Sequence, residues 1–192
     1  MNGFRFNSLS KRELHLLKNG GVGILPTDTV YGLVTQATNI ASVARLYLLK
    51  RREHKPGTII ASSIQQIIDL DIEPEYISTA KAYWPNPISV VIPVSNSLAY
   101  LHQGAGSIAV RVTADRDLIT LLDITGPLLT SSANQPGKKT ANNINQAYEY
   151  FDDKVDFYID GGDLSNRLAS TIVIIDDTGL KVLRKGSIKL SQ

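Results

Sequence analysis

Pro26-Thr27-Asp28-Thr29-Val30-Tyr31-Gly32-Leu33 is the stretch that organises the reading of this chain. It follows Val22 to Leu25, a short apolar run with the length and composition of a buried strand. Hydroxyls, a carboxylate and a glycine at a strand exit bring polar groups to the edge of a sheet, where α/β folds build their sites. Pro, Thr, Asp and Gly are also ordinary turn formers, so this run alone favours a site only modestly. Two further segments add the weight: Lys50-Arg51-Arg52-Glu53-His54-Lys55-Pro56 and Ser131-Ser132-Ala133-Asn134. Together the three suggest a pocket built for anions.

Working outward, Ser10-Lys11-Arg12-Glu13 has the spacing of a capping box, Leu14 and Leu17 follow on one helical face, and Asn19-Gly20-Gly21 stops that helix. Tyr31 to Thr35 is expected to continue the sheet. Ile40, Val43, Ala44 and Tyr47 recur at helical spacing and predict a helix from about Asn39 to Lys50, with the basic run at the end that suits cations. Further strands are predicted at 58–61, 88–92, 108–112, 128–130, 157–159, 171–175 and 180–183. Helices are predicted after Ser62-Ser63, from Pro74 to Trp84, at 117–122, and from Asn142 or Asn143 to Phe151. Ser95 to Gly106 reads as a long surface loop, and Asp176-Asp177-Thr178-Gly179 as a hairpin turn. The early alternation of strands and helices with a hairpin-like end predicts an α/β fold: a twisted, open, mixed parallel/antiparallel sheet with flanking helices, in one domain over 1–192.

Composition narrows the function. The chain has 192 residues, 43% of them hydrophobic, enough for one sizeable core. A formal net charge of +2 does not mark a nucleic-acid binder by bulk charge. There is no cysteine, which removes disulfides, thiolate metal sites and a cysteine nucleophile. The opening Met1-Asn2-Gly3-Phe4-Arg5-Phe6 lacks the apolar core of a signal peptide, and no apolar stretch reaches the ~20 residues of a membrane span. A cytoplasmic protein is expected.

Individual residues carry alternatives. The cations of the basic run suit phosphate, Arg as a fork and Lys as a point charge, but a lone basic run is more often a solvated helix end. Arg111 interrupts the apolar strand Ile108-Ala109-Val110-Arg111-Val112. It is either a buried cation that needs an anion, with a ligand carboxylate as one candidate, or an edge residue facing solvent. Ser131 to Gly137 has the small side chains of an anion-binding turn, and equally those of a plain loop. Asp28 is expected to cap its own loop rather than to touch Mg²⁺. Trp84, beside two prolines, is expected in the core. His15, His54 and His102 have no metal-ligand spacing, and no Walker A, dinucleotide or nucleophile-elbow pattern is present.

The ordered series of Pro26 to Leu33, Lys50 and Arg52, Trp84-Pro85-Asn86-Pro87-Ile88, Ser107 to Val112 and Ser132 to Gly137 covers nearly the whole chain. With Asp160-Gly161-Gly162, Ser170-Thr171 and Leu183-Arg184-Lys185-Gly186, it resembles the threonylcarbamoyl-adenylate synthase family, also called the YrdC or TsaC family, in its short form. The resemblance implies a basic cavity. It also implies a reaction in which L-threonine, bicarbonate and ATP give threonylcarbamoyl-AMP and pyrophosphate. A transfer complex then modifies tRNA at the adenosine beside the anticodon. It implies that Thr29, Arg111, Thr130 and Ser170 hold threonine, and that Lys50, Arg52, Lys55, Ser107, Ser132, Asn134, Thr140 and Arg184 surround ATP. Lys50, Arg52, Ser132 and Asn134 would act in catalysis, Mg²⁺ would ride on the ATP phosphates, and a monomer is expected. Glu53, Gly57 and Asn86 depart from the family's usual residues. A non-enzymatic binder of structured RNA and a carbamoyl-adenylate-forming relative are the rival readings.

Overall fold

The fold is described from a computed structural model in residues 3, 5, 9–52, 54–176 and 179–190. Glu53 of the basic run, Asp177 and Thr178 of the last hairpin turn, and most of the N-terminal hexapeptide lie outside the described residues. The strands are β1 (Gly23–Pro26), β2 (Tyr31–Gln36), β3 (Thr58–Ala61), β4 (Ile88–Pro93), β5 (Ser107–Val112), β6 (Leu128–Ser132), β7 (Phe157–Tyr158), β8 (Thr171–Asp176) and β9 (Gly179–Arg184). They form one sheet in the order β7-β1-β2-β6-β3-β5-β4-β8-β9. The β1–β7, β3–β5 and β4–β8 pairs are parallel, and the other neighbours are antiparallel. This is the mixed sheet the alternation of elements predicts.

Because side chains alternate across a strand, the register sorts the sheet into two faces. One face presents Ile24, Leu33, Leu129, Ile59, Val110, Val90 and Val173 to a continuous core. Covering it are α2 (Ile40–Lys50), α3 (Ile64–Ile68), α4 (Pro74–Ala80), α5 (Ala99–His102) and α7 (Ile144–Phe151). The opposite face is covered only in part. There Leu25, Val34, Ile60 and Leu128 pack on α1 (Lys11–Lys18) and α6 (Arg116–Thr125) through Leu17, Leu118, Leu121 and Leu122. Beyond that cluster the same face runs through the paired row Thr130, Thr58, Ala109 and Val91. Small and polar side chains in this row leave room above the sheet, and that room is the cavity described below.

Local signals read from the sequence recur in the structure. Ser10 and Glu13 form both halves of the capping box, and Asn39, Ser63 and Asn143 cap their helices. Trp84 is buried, with its indole N–H donating to the Ile88 carbonyl. The segment predicted as a long loop, Ser95 to Gly106, instead contains a 3-10 turn (Asn96–Leu98) and α5. Four residues are too few to display a helical period. Burial of Leu98 and Leu101 and the Tyr47 hydroxyl, which donates to the Leu101 carbonyl at 2.5 Å, hold this short helix. Among the described residues no helix is long and apolar enough to cross a membrane.

Gly57 has a steric reason to be glycine. A Cβ there would sit 2.7 Å from the Thr130 carbonyl oxygen and 2.9 Å from Leu129 Cδ1, both fixed by the β3–β6 pairing. Gly57→Ala is expected to lower stability by about 1–3 kcal/mol through overpacking, read as a lower urea midpoint with an unchanged slope.

Candidate functional site

The uncovered half of the sheet encloses a cavity of about 220 Å³. Its floor is Gly32, Thr58, Thr130, Ala109 and Val91, and Thr29, Ser107, Ser132 and Ser170 bring hydroxyl-bearing residues to its walls. Arg52, Arg111 and Arg184 enter from three separate elements. Gly32 keeps the floor low, since a Cβ there would meet Thr130 Oγ1 at 2.6 Å.

The β1–β2 hairpin delivers the first wall. Thr27 closes the loop, its N–H and hydroxyl both donating to the Val30 carbonyl, and its Oγ1 lies 3.0 Å from Thr29 Oγ1. Asp28 does not cap this loop, as the sequence suggests. Its carboxylate accepts from Arg111 NH2 at 2.7 Å and from the Thr113 hydroxyl at 3.2 Å. The physical reason is that Arg111 is 3% exposed in the sheet interior and requires a counter-charge there. The choice left open for Arg111 resolves as the buried one, with an in-chain anion as partner. Nε is buried and has no partner among the described residues, and NH1 reaches the Ser89 hydroxyl only at 3.4 Å.

Ser89 was not singled out in the sequence. It is fully buried in β4, next to the Val90–Val110 pair, and its hydroxyl lies 2.9 Å from that of Ser170. Ser170 in turn accepts from Arg184, through its carbonyl (3.1 Å from Nε, 2.8 Å from NH2) and its hydroxyl (3.0 Å from NH2). A serine in an apolar strand carries little local signal, and only the alternation that flags Arg111 could have paired the two.

Arg52 is held by Ser131 Oγ at 3.1 Å and the Pro56 carbonyl at 2.9 Å, and its Nε donates to the Lys55 carbonyl. Burial pushes the pKa of Arg52 and Arg184 down from the usual arginine range, and for Arg184 the charges of Arg111 and Arg52 add to the effect. Three guanidiniums thus share one cavity, with Asp28 paired to Arg111 alone. The surplus positive charge is what a bound polyanion would neutralise.

Lys50 stands behind this wall. It is 4% exposed, and its ammonium donates to the Ser132 carbonyl at 2.6 Å, the Asn134 carbonyl at 2.5 Å and Asn134 Oδ1 at 2.6 Å. Asn134 Oδ1 also accepts from the Ser132 hydroxyl, while its Nδ2 donates to the Lys138 and Gln135 carbonyls. Lys50 and Asn134 therefore shape the turn that presents Ser132. Lys55 is exposed and gives the site only its carbonyl, and half-buried Thr140 lies outside the wall. The structure brings Thr29, Arg52, Ser107, Arg111, Thr130, Ser132, Ser170 and Arg184 around one cavity. Among the described residues no group of three His, Cys, Asp or Glu is placed to hold a metal ion.

The family model Sua5/YciO/YrdC, described as "Telomere recombination", matches residues 15–186. A Halorhodospira halophila protein named "Threonylcarbamoyl-AMP synthase" is 31% identical over 76% of this chain and 78% of its own length. The structure of P. abyssi Sua5 complexed with L-threonine superposes with a TM-score of 0.77 at 29% identity, covering 90% of this chain and 52% of that one. This chain thus spans about half the length of the P. abyssi protein. T. kodakarensis HypF, at 20% identity and a TM-score of 0.78 over 92% of this chain and 24% of its own, shares the fold.

Proposed function

The chain belongs to the Sua5/YciO/YrdC family, and we propose that it is an L-threonylcarbamoyladenylate synthase, a nucleotidyltransferase carried by one domain. The observation that carries the reading is the convergence of Arg52, Arg111 and Arg184 on a single cavity whose floor is small and hydroxylated. Such a cavity suits a triphosphate beside a small carboxylate. The names of the relatives and the threonine complex of P. abyssi Sua5 support the choice of substrates.

In this reading the threonine carboxylate is held by the Arg111 guanidinium, with Thr29, Thr130 and Ser170 around the amino acid. Arg52, Arg184, Ser107 and Ser132 receive the phosphates of ATP, and Lys50 and Asn134 hold the Ser132 turn in place. Lys55 and Thr140 are assigned to ATP by the family resemblance alone. The threonine amine and bicarbonate give a carbamate with loss of water. A carbamate oxygen then attacks the α-phosphorus, and pyrophosphate leaves. Both reactants are anionic, so catalysis rests on proximity and on fixed cations and dipoles rather than on a strong base. Mg²⁺ would come with ATP as part of the substrate and offset charge on its phosphates, and Asp28, engaged by Arg111 and Thr113, is not assigned to it. The product would pass to a transfer complex acting on tRNA, in the cytoplasm, from a monomeric enzyme.

The test is incubation with ATP, bicarbonate and each amino acid in turn, with the adenylate identified by mass spectrometry. Threonylcarbamoyl-AMP is expected, with pyrophosphate release that requires threonine and bicarbonate together. ATP turnover indifferent to threonine rejects the reading. RNA binding without ATP binding would favour the non-enzymatic alternative.

A further inference from the structure

His102 has no place in the scheme above, yet it is 2% exposed at the end of α5 and directs its ring at the chain that enters the cavity. Its Nδ1 lies 3.1 Å from the backbone nitrogens of both Gly104 and Gly106. Amide N–H groups can only donate, so Nδ1 must carry its lone pair and the ring proton must sit on Nε2. The turn it receives is unusual for its freedom. Gln103, Gly104 and Gly106 all have positive φ, at 51°, 85° and 66°, and the tip 104–106 is exposed. Two glycines in an exposed tip lose much conformational entropy on ordering, and the imidazole acceptor offsets that cost. The backbone adds the Ala105 N–H to the His102 carbonyl and the Val94 N–H to the Gly106 carbonyl. The turn leads straight into β5, and both Ala105 and Ser107 line the cavity.

The same helix end holds the opposite wall. Gln103 Oε1 accepts from the His54 N–H at 3.2 Å, and the Tyr47 hydroxyl accepts from the Gly57 N–H at 3.1 Å while donating to the Leu101 carbonyl. The segment carrying Arg52 and the turn carrying Ser107 are thus tied to one four-residue helix.

We propose that His102 is a positioning residue for the reaction assigned above: as a fixed hydrogen-bond acceptor it sets the 103–107 turn, and so places Ser107 against the phosphates of the nucleotide. The proposal rests on the synthase reading for its substrate, and on the geometry alone for its structural part. His102 would act on nucleotide binding, since Ser107 meets the phosphates before and during the chemical step alike.

Asparagine provides the discriminating variant. Its Oδ1 is bonded to Cγ as His Nδ1 is, so it returns an acceptor to the same place, while glutamine moves the oxygen one bond further out and leucine removes it. His102→Leu is expected to raise the KM for ATP about tenfold with kcat nearly unchanged, the scale of losing one or two backbone hydrogen bonds. His102→Asn is expected to restore KM to within about twofold of wild type on the same argument. In amide-exchange NMR without substrates, Gly104 and Gly106 should exchange faster in His102→Leu and keep their protection in His102→Asn. If His102→Leu does not fold, His102→Gln takes its place. Wild-type KM and protection in the variant lacking the acceptor, or a His102→Asn variant no better than it, overturn the proposal. If even the wild type forms no adenylate, the synthase reading fails by itself. Amide exchange and the affinity for inorganic pyrophosphate then still decide the role of His102.

Discussion

Replacing Arg111 with Ala is expected to raise the KM for threonine by about a hundredfold, the scale of truncating one partner of a buried charge-assisted contact. A second loss comes with it. Asp28, 10% exposed at its side chain, would keep, among the described residues, the Thr113 hydroxyl as its remaining partner. Breaking a buried pair in this way costs about 3–5 kcal/mol of stability. The two effects separate in a double variant. Asp28→Asn with Arg111→Ala removes the stranded charge, so stability should largely return while threonine binding does not. Asp28→Asn alone leaves Arg111 without its counter-ion but free to take a ligand carboxylate, so threonine affinity should hold. Steady-state kinetics on folded protein and urea midpoints measure the two quantities independently. An unchanged threonine KM in Arg111→Ala would remove that residue from substrate binding, whatever happened to stability.

The Arg111 pair also marks the boundary of what the amino-acid sequence makes legible. A charge inside Ile108 to Val112 is visible locally because it breaks an apolar strand, and the alternation gives its face. Its partner is not visible, because Asp28 lies 83 positions away and turn composition explains it equally well. The helix caps and most strands are legible for the same reason that Arg111 is: each is written within a few residues. The five-strand row that floors the cavity is not, since β3 and β5 pair in parallel and only the full strand order sets Thr58 between Thr130 and Ala109. The basic run shows both sides at once. Arg51 takes the left-handed cap position after α2, with φ at 48°, and this reversal turns Arg51 to solvent while Lys50 and Arg52 face inward. Composition alone makes the three residues equivalent, and one backbone dihedral divides a solvated helix end from a binding wall. His102 and α5 stayed hidden because four helical residues have no period to read.

Lys50→Met is expected to have the second large effect, and it separates a shaping role from direct phosphate contact. The substitution fills the stem's volume but takes one donor from each of the Ser132 carbonyl, which keeps the Asn134 N–H, Asn134 Oδ1, which keeps the Ser132 hydroxyl, and the Asn134 carbonyl, which is left without a partner among the described residues. One stranded acceptor costs about 1–3 kcal/mol, and a stability loss of that order is expected. ATP turnover should fall by about a hundredfold as the Ser132 turn loosens, on the scale of such a loss. Lys50→Arg should not rescue it, because a planar fork cannot donate to three oxygens converging on one point. The pH dependence gives a sharper test. Burial, and secondarily the charge of Arg52, pushes the Lys50 ammonium down to about 7 from 10.5. Above about pH 7 the neutral amine has two N–H groups for three oxygens, so the KM for ATP should climb. Stability should rise as ATP affinity falls. Between about 7 and 10.5 the unfolded chain holds the proton that the folded chain has released, so this group's contribution to the unfolding free energy rises with pH. Lys50→Met should show neither trend. Denaturation and ATP kinetics measured from about pH 6 to 9, the window set by that shift, should show the unfolding free energy and the KM for ATP rising together in the wild type. A KM for ATP that stays flat across that window, or a Lys50→Met enzyme that retains wild-type ATP kinetics, would reduce Lys50 to a packing residue and leave the Ser132 turn to be held by Asn134 alone.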